Sequence, residues 1–164
     1  MIKVIGISGS TRLASSNTKI LRGLALLMPD TIEYSIDKGI SELPHFNPDI
    51  EGANSPEEVS RFRASLSKAD AIIICTPEYA KGVPGVLKNA LDWLVSSAEL
   101  YRKPVAIITA SGFGEAAHQS LLLTLSMLNA NVFEGGALLI SAAVRSLMRM
   151  AKSLMKRQNS HYKE

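Results

Sequence analysis

The 164 residues are 46% hydrophobic and 20% charged, with 11 Gly, 7 Pro and a single Cys, a length that suits one domain with its own core and leaves no room for a second full one. One cysteine excludes an intramolecular disulfide framework and any cluster or zinc site built from several thiolates, and no apolar run approaches the ~20 residues of a membrane span. The net charge of +3 is uneven: six basic residues against Glu164 give the segment from Ala143 onward +5, so the other 142 residues carry −2.

Ile2 to Ser8 is a short apolar run and predicts a buried strand, entered with no signal-peptide region before it. With Cys75 inside an apolar run as a buried, inert thiol, this predicts a soluble protein in a reducing, cytoplasmic setting. A loop rich in Gly, Ser and Thr follows, from Ser8 to Asn17. Ile20, Leu21, Leu24, Leu27 and Met28 then recur at helical spacing, with Ser16 or Asn17 as N-cap. Thr31 to Ile36 predicts a second strand, and Leu43 to Asn54 a Pro/Asn/Asp loop. Ser55-Pro56-Glu57-Glu58 has capping-box spacing ahead of a helix through Val59, Phe62, Leu66 and Ala69. Ala71 to Thr76 predicts a third strand stopped by Pro77. A helix through Val83, Leu87, Leu91, Leu94 and Ala98 comes next, then a strand at Val105–Thr109 and an apolar helix at Ala116–Leu128. Asn131 to Ile140 holds a fifth strand. Val144, Leu147, Met148, Ala151, Leu154 and Met155 trace a last amphipathic helix, and residues 145–164 form a basic C-terminal helix and tail within the single domain 1–164. Its basic face reads as a solvated surface.

Five apolar strands alternating with helices predict a three-layer α/β fold, a parallel sheet covered on both faces. In this length they match the flavodoxin-like doubly wound order 2-1-3-4-5. Ligands of such sheets bind beyond the carboxyl ends of the strands, where the winding reverses between strands one and three. The least ordinary loops follow those two strands, and Ala110–Glu115 is their third neighbour. Ser10, Thr11, Ser15, Ser16, Asn17 and Thr18 offer donors, Gly9 allows close backbone approach, and Arg12 adds a fixed charge before a helix N-terminus: features that suit a phosphate monoester. Neither G-x-x-x-x-G-K-[ST] nor G-x-G-x-x-G is present, which disfavours a P-loop NTPase and a bound dinucleotide pyrophosphate. In the second loop Pro77 and Pro84 bracket Glu78 and Tyr79, a stiff turn whose ring can lie against a flat ligand. A phosphate end and a planar end together describe a site for flavin mononucleotide (FMN).

Gly9-Ser10-Thr11-Arg12-Leu13-Ala14-Ser15-Ser16-Asn17 resembles the G-S-x-R-x-x-S-x-N loop of the NADPH-dependent FMN reductase family. Thr76-Pro77-Glu78-Tyr79, followed by Pro84-Gly85-Val86-Leu87-Lys88-Asn89-Ala90-Leu91-Asp92-Trp93, resembles its P-E-Y-N…P-G-x-L-K-N-A-x-D-W signature. The resemblance covers about the first 115 residues. It implies a flavodoxin-like fold, bound FMN and two-electron, ping-pong reduction of quinone, flavin, azo or similar acceptors by NADPH or NADH. Ser10, Arg12, Ser15, Ser16, Asn17 and Thr18 would hold the phosphate. Pro77, Glu78, Tyr79 and Ala80 would flank the ring system, and Ser111, Gly112 and Gly114 would approach its pyrimidine edge. The flavin carries the hydride, so no side chain is assigned as catalytic. A homodimer or homotetramer is implied, with Trp93 as a candidate contact or a core residue. Ala80 stands where the family has Asn.

Other residues carry less. His45 reads as a surface-loop residue, His118 as a solvated or capping group at a helix start, and His161 as part of a frayed tail. No His pair has metal-ligand spacing on one helix, so no metal is expected. A non-enzymatic flavodoxin-like electron carrier is the main alternative, disfavoured by the positive net charge. Nucleic-acid binding by the basic C-terminal segment is a weaker one, and neither nucleic acid nor membrane is expected as a partner.

Overall fold

A computed structural model describes residues 1–52 and 55–141. The basic helix expected beyond residue 144 lies outside the described residues. The elements in chain order are β1 (Ile2–Ser8), α1 (Ser16–Ala25), β2 (Ile32–Ile36), a 3-10 turn (Pro48–Ile50), α2 (Glu57–Lys68), β3 (Ala71–Thr76), α3 (Gly85–Asp92), β4 (Pro104–Ala110), α4 (Glu115–Met127) and β5 (Asn131–Ile140). Every strand pair is parallel, and the order is β2-β1-β3-β4-β5. This is the flavodoxin-like arrangement expected of the sequence.

The central strands β1, β3 and β4 are apolar on both sides because both sides are covered, while the edge strands β2 and β5 are largely exposed among the described residues. Successive side chains point to opposite faces, so Ile5, Ile7, Ile72, Ile74, Val105 and Ile107 meet α2, α3 and α4 through Phe62, Leu66, Leu87, Leu91, Leu121 and Leu125. The alternate residues Ile73, Cys75, Ile108 and Ala110 meet Leu21 and Leu24 of α1. Burying a side chain of this size contributes about 1.5–3 kcal/mol, so these two clusters fix which face each helix takes. β5 is irregular: Val105 pairs with Val132 but Ile107 with Ala137. The extra residues bulge out at Gly135, whose φ of +78° suits glycine.

Three local expectations change. The N-cap of α1 is Ser15, whose hydroxyl accepts from the Thr18 N–H at 3.3 Å, so the cap lies one residue before Ser16. The capping box at Ser55 does not form. Pro56 is the N-cap of α2, and the Ser55 hydroxyl, one residue too early to reach the first turn, is buried without a partner among the described residues. α3 stops at Asp92, well before Ala98, where the chain passes into tighter turns (Leu94 N–H to Leu91 O, Val95 N–H to Asp92 O), and Arg63 of α2 caps the end, its Nε donating to Trp93 O at 2.9 Å.

Candidate active site

The winding reverses between β1 and β3, and their following loops part to open a crevice of about 180 Å3 at the carboxyl edge of the sheet. Of the residues singled out in the sequence, Ser10, Arg12, Ser15, Ser16, Asn17, Pro77, Tyr79, Ser111 and Gly112 line it. Ala110, the small last residue of β4 and the first of the loop expected as the crevice's third neighbour, lines it too, although the sequence assigned it no contact.

The first loop leaves β1 under tight restraint. Gly9 donates to Cys75 O at 2.8 Å, and a Cβ there would sit 2.8 Å from Thr76 Cβ and 3.0 Å from Leu87 Cδ2. The glycine is thus needed for packing of the loop against β3 and α3, where the sequence suggested approach to a ligand. Ser8 Oγ and Thr18 Oγ1 share a hydrogen bond of 2.8 Å that ties the start of the loop to α1. Between these anchors the backbone N–H groups of Thr11, Arg12, Leu13, Ala14, Ser16 and Asn17 have no partner among the described residues, while that of Ser15 donates to Arg12 O at 3.0 Å. The first turn of α1 carries no acidic residue, so its positive dipole end faces this group of donors undiminished. N–H groups without a partner among the described residues, hydroxyls and one exposed guanidinium are the chemistry that suits a phosphate dianion.

Asn17 is 2% exposed and its Oδ1 accepts from Cys75 Sγ at 3.3 Å. With the oxygen so engaged, the amide NH2 is the group left for the crevice. Cys75 is fully buried, and desolvation pushes its thiol up to about 12, so it is no thiolate nucleophile.

The second loop is a tight turn. Tyr79 and Gly82 exchange both backbone hydrogen bonds, at 2.9 and 3.0 Å, and Ala80 and Lys81 between them have φ of +48° and +62°. Tyr79, half exposed, stands at the crevice wall. Phe113 lies outside it on the rim, with Lys81 Nζ 5.2 Å from its ring centre.

Four of the expected residues are not brought to the crevice. Thr18 is turned to Ser8 and lines a neighbouring cavity. Glu78 swings its carboxylate beneath the loop, where it is buried and accepts from the Ala117 N–H at 3.0 Å, with Lys81 Nζ 3.8 Å away. Ala80 occupies the turn tip. Gly114 is buried, and a Cβ there would lie 2.8 Å from Leu139 Cδ1, so packing on β5 explains it. His118 is neither free nor a cap: its Nδ1 and Thr109 Oγ1 are 2.9 Å apart, and burial holds its pKa below the ordinary 6.5. Trp93 is fully buried. Its Nε1 donates to Pro44 O at 2.9 Å and its ring meets Phe46 edge-on at 5.1 Å. Asn89 brackets the same loop, donating to Pro44 O and accepting from the Phe46 N–H. These two signature residues therefore hold the exposed His45 loop in place. Among the described residues no group of His, Cys, Asp and Glu could hold a metal ion, and no helix is long and apolar enough to cross a membrane.

A curated relative, an NAD(P)H-dependent FMN reductase of Pseudomonas aeruginosa, is 39% identical over 147 residues, spanning 87% of this chain and 79% of the relative. A quinone reductase of Pseudomonas putida is 40% identical over 126 residues, 70% of this chain and 66% of its own. Among solved structures, the flavoenzyme NAD(P)H:(acceptor) oxidoreductase FerB of Paracoccus denitrificans superposes with a TM-score of 0.74 at 30% identity, over 82% of this chain and 76% of that one. The family model described as NADPH-dependent FMN reductase matches residues 2–145, and the chain belongs to that family.

Proposed function

We propose that this protein is an FMN-dependent NAD(P)H oxidoreductase that takes two electrons from the nicotinamide and passes them, in a ping-pong cycle, to a quinone, flavin, azo compound or similar acceptor. The observation that carries this reading is the row of six N–H groups between Thr11 and Asn17 without a partner among the described residues, with Arg12 beside them and no carboxylate among the described residues that line the crevice. FMN held in this crevice would supply the two-electron redox chemistry between the nicotinamide and the acceptor. The chain's own part is to bind and orient. Ser10, Arg12, Ser15, Ser16 and Asn17 hold the phosphate. Pro77 and Tyr79 fix the plane of the ring system, and Ser111 and Gly112 meet its polar edge. Thr18, Glu78, Ala80 and Gly114 act indirectly, by shaping the three loops. A reducing cytoplasmic setting suits the single buried thiol. A homodimer or homotetramer suits the exposed Leu123 and Met127 of α4 and is checked by light scattering.

Ser16→Asp tests the phosphate cradle, because it adds a negative charge at the first residue of α1, which lines the crevice without being buried in it. FMN affinity falls by roughly tenfold or more, the scale of one charge-assisted hydrogen bond, while the unfolding midpoint of the FMN-free protein holds. Unchanged FMN affinity in fluorescence titration contradicts the assignment.

A further inference from the structure

Across the first loop from the crevice lies a second cavity, of about 310 Å3, between that loop, α1 and the end of β2. Arg12, Arg22 and Lys38 line it, and none of the three makes an ion pair among the described residues. One carboxylate, Asp37, also lines it, with Oδ2 occupied by the Gly39 N–H at 2.9 Å. With Arg12 engaged by the FMN phosphate, Arg22 and Lys38 against one engaged carboxylate still leave an excess of positive charge at the mouth. The wall is different in kind: Ile40 is buried there, and Leu13 stands fully exposed at the loop tip. Ser10 and Arg12 line both cavities, so a ligand lying in the crevice can continue over the loop into the second one.

An apolar wall with cations at its mouth suits a nucleoside carrying a phosphate dianion. NADPH and NADH differ by such a group on the adenosine ribose. We propose that this cavity receives the 2′-phosphate end of NADPH, with Arg22 and Lys38 as the residues that make the protein prefer NADPH to NADH. The inference rests on the reading of the crevice as a flavin site and adds to it a specificity pocket. Neither Arg22 nor Lys38 lines the crevice, so changing them leaves the FMN cradle intact.

The test uses FMN-loaded protein, wild type and Arg22→Ser, Lys38→Ser and the double variant, titrated calorimetrically with adenosine 2′,5′-bisphosphate and with AMP. The wild type binds the bisphosphate more tightly than AMP. Each single variant weakens bisphosphate binding by about tenfold, the worth of one charge-assisted contact, without moving AMP. The ratio of kcat/KM for NADPH to that for NADH falls in parallel, through KM. A wild type that treats the two nucleotides alike, or a double variant with an unchanged NADPH:NADH ratio, overturns the inference alone. Inorganic phosphate that displaces the bisphosphate at equal concentration identifies an unspecific anion site and also overturns it. A wild type that takes up no FMN overturns the underlying reading and this inference with it.

Discussion

Ala80 and Lys81 sit at the two central positions of the Tyr79–Gly82 turn, both in the left-handed region. A turn of this hand favours Asn and Gly there, because a Cβ at positive φ crowds the backbone at a cost of about 1 kcal/mol or more per residue. Asn tolerates the conformation through its short polar side chain, which gives a backbone reason for the Asn of the family signature. Ala80→Asn is therefore expected to raise stability by about 0.5–1 kcal/mol, read as a higher urea midpoint at unchanged slope. A midpoint that stays or falls would place the strain elsewhere. The same scale explains Asn17 and Cys75. Their polar and apolar neighbours in sequence suggested a ligand donor and an inert thiol, and both readings agree with a pair in which the thiol occupies the amide oxygen and so selects the NH2 for the crevice. That contact joins residues 58 positions apart, and spacing along the chain does not reveal it.

At the scale of elements, α4 starts without a cap of its own, since its N-cap residue is Gly114 and makes no side-chain hydrogen bond there. Glu78 supplies the missing acceptor from the β3–α3 loop, its carboxylate buried against the Ala117 N–H and the positive end of the helix. Glu78→Ala is expected to cost about 1–2 kcal/mol in chemical denaturation, the range for a lost cap, and to loosen the Tyr79 turn that Glu78 anchors. A cost below about 0.5 kcal/mol, the level of an ordinary surface change, would mean that water replaces it freely. Long-range capping also marks where sequence patterns stopped short. The strands at Ile2–Ser8 and Ala71–Thr76 begin and end where their apolar runs do, since burial on both faces writes itself into composition. The end of α3 could not be read that way: Leu94 continues the helical spacing and is buried, yet the helix ends at Asp92 and Arg63 from distant α2 caps it at the Trp93 carbonyl. The motif at Ser55 failed for a related reason, because Pro56 moves the cap by one residue.

Over the whole molecule, sheet order and site position come from one fact, the reversal of winding between β1 and β3. It sets the Ser-rich loop and the Tyr79 turn side by side, and both had been singled out as the least ordinary loops of the sequence. Nine of the residues expected at the site do line the crevice. Those that do not, Thr18, Glu78, Ala80 and Gly114, lie within the same motifs and serve the loops' own packing or turns. A motif carries loop-packing and crevice-lining positions together, and only coordinates separate the two. The second cavity beside α1 was not foreseen, since Arg22 and Lys38 are isolated charges in the sequence and meet only when β2 lies beside β1. The most direct test of the account is to load the protein with FMN and mix it anaerobically with NADPH while following the visible flavin absorbance. Rapid bleaching in one two-electron phase, reversed on adding a quinone, is the predicted result; a bound flavin that NADPH leaves oxidised would contradict a reductase and point to an electron carrier.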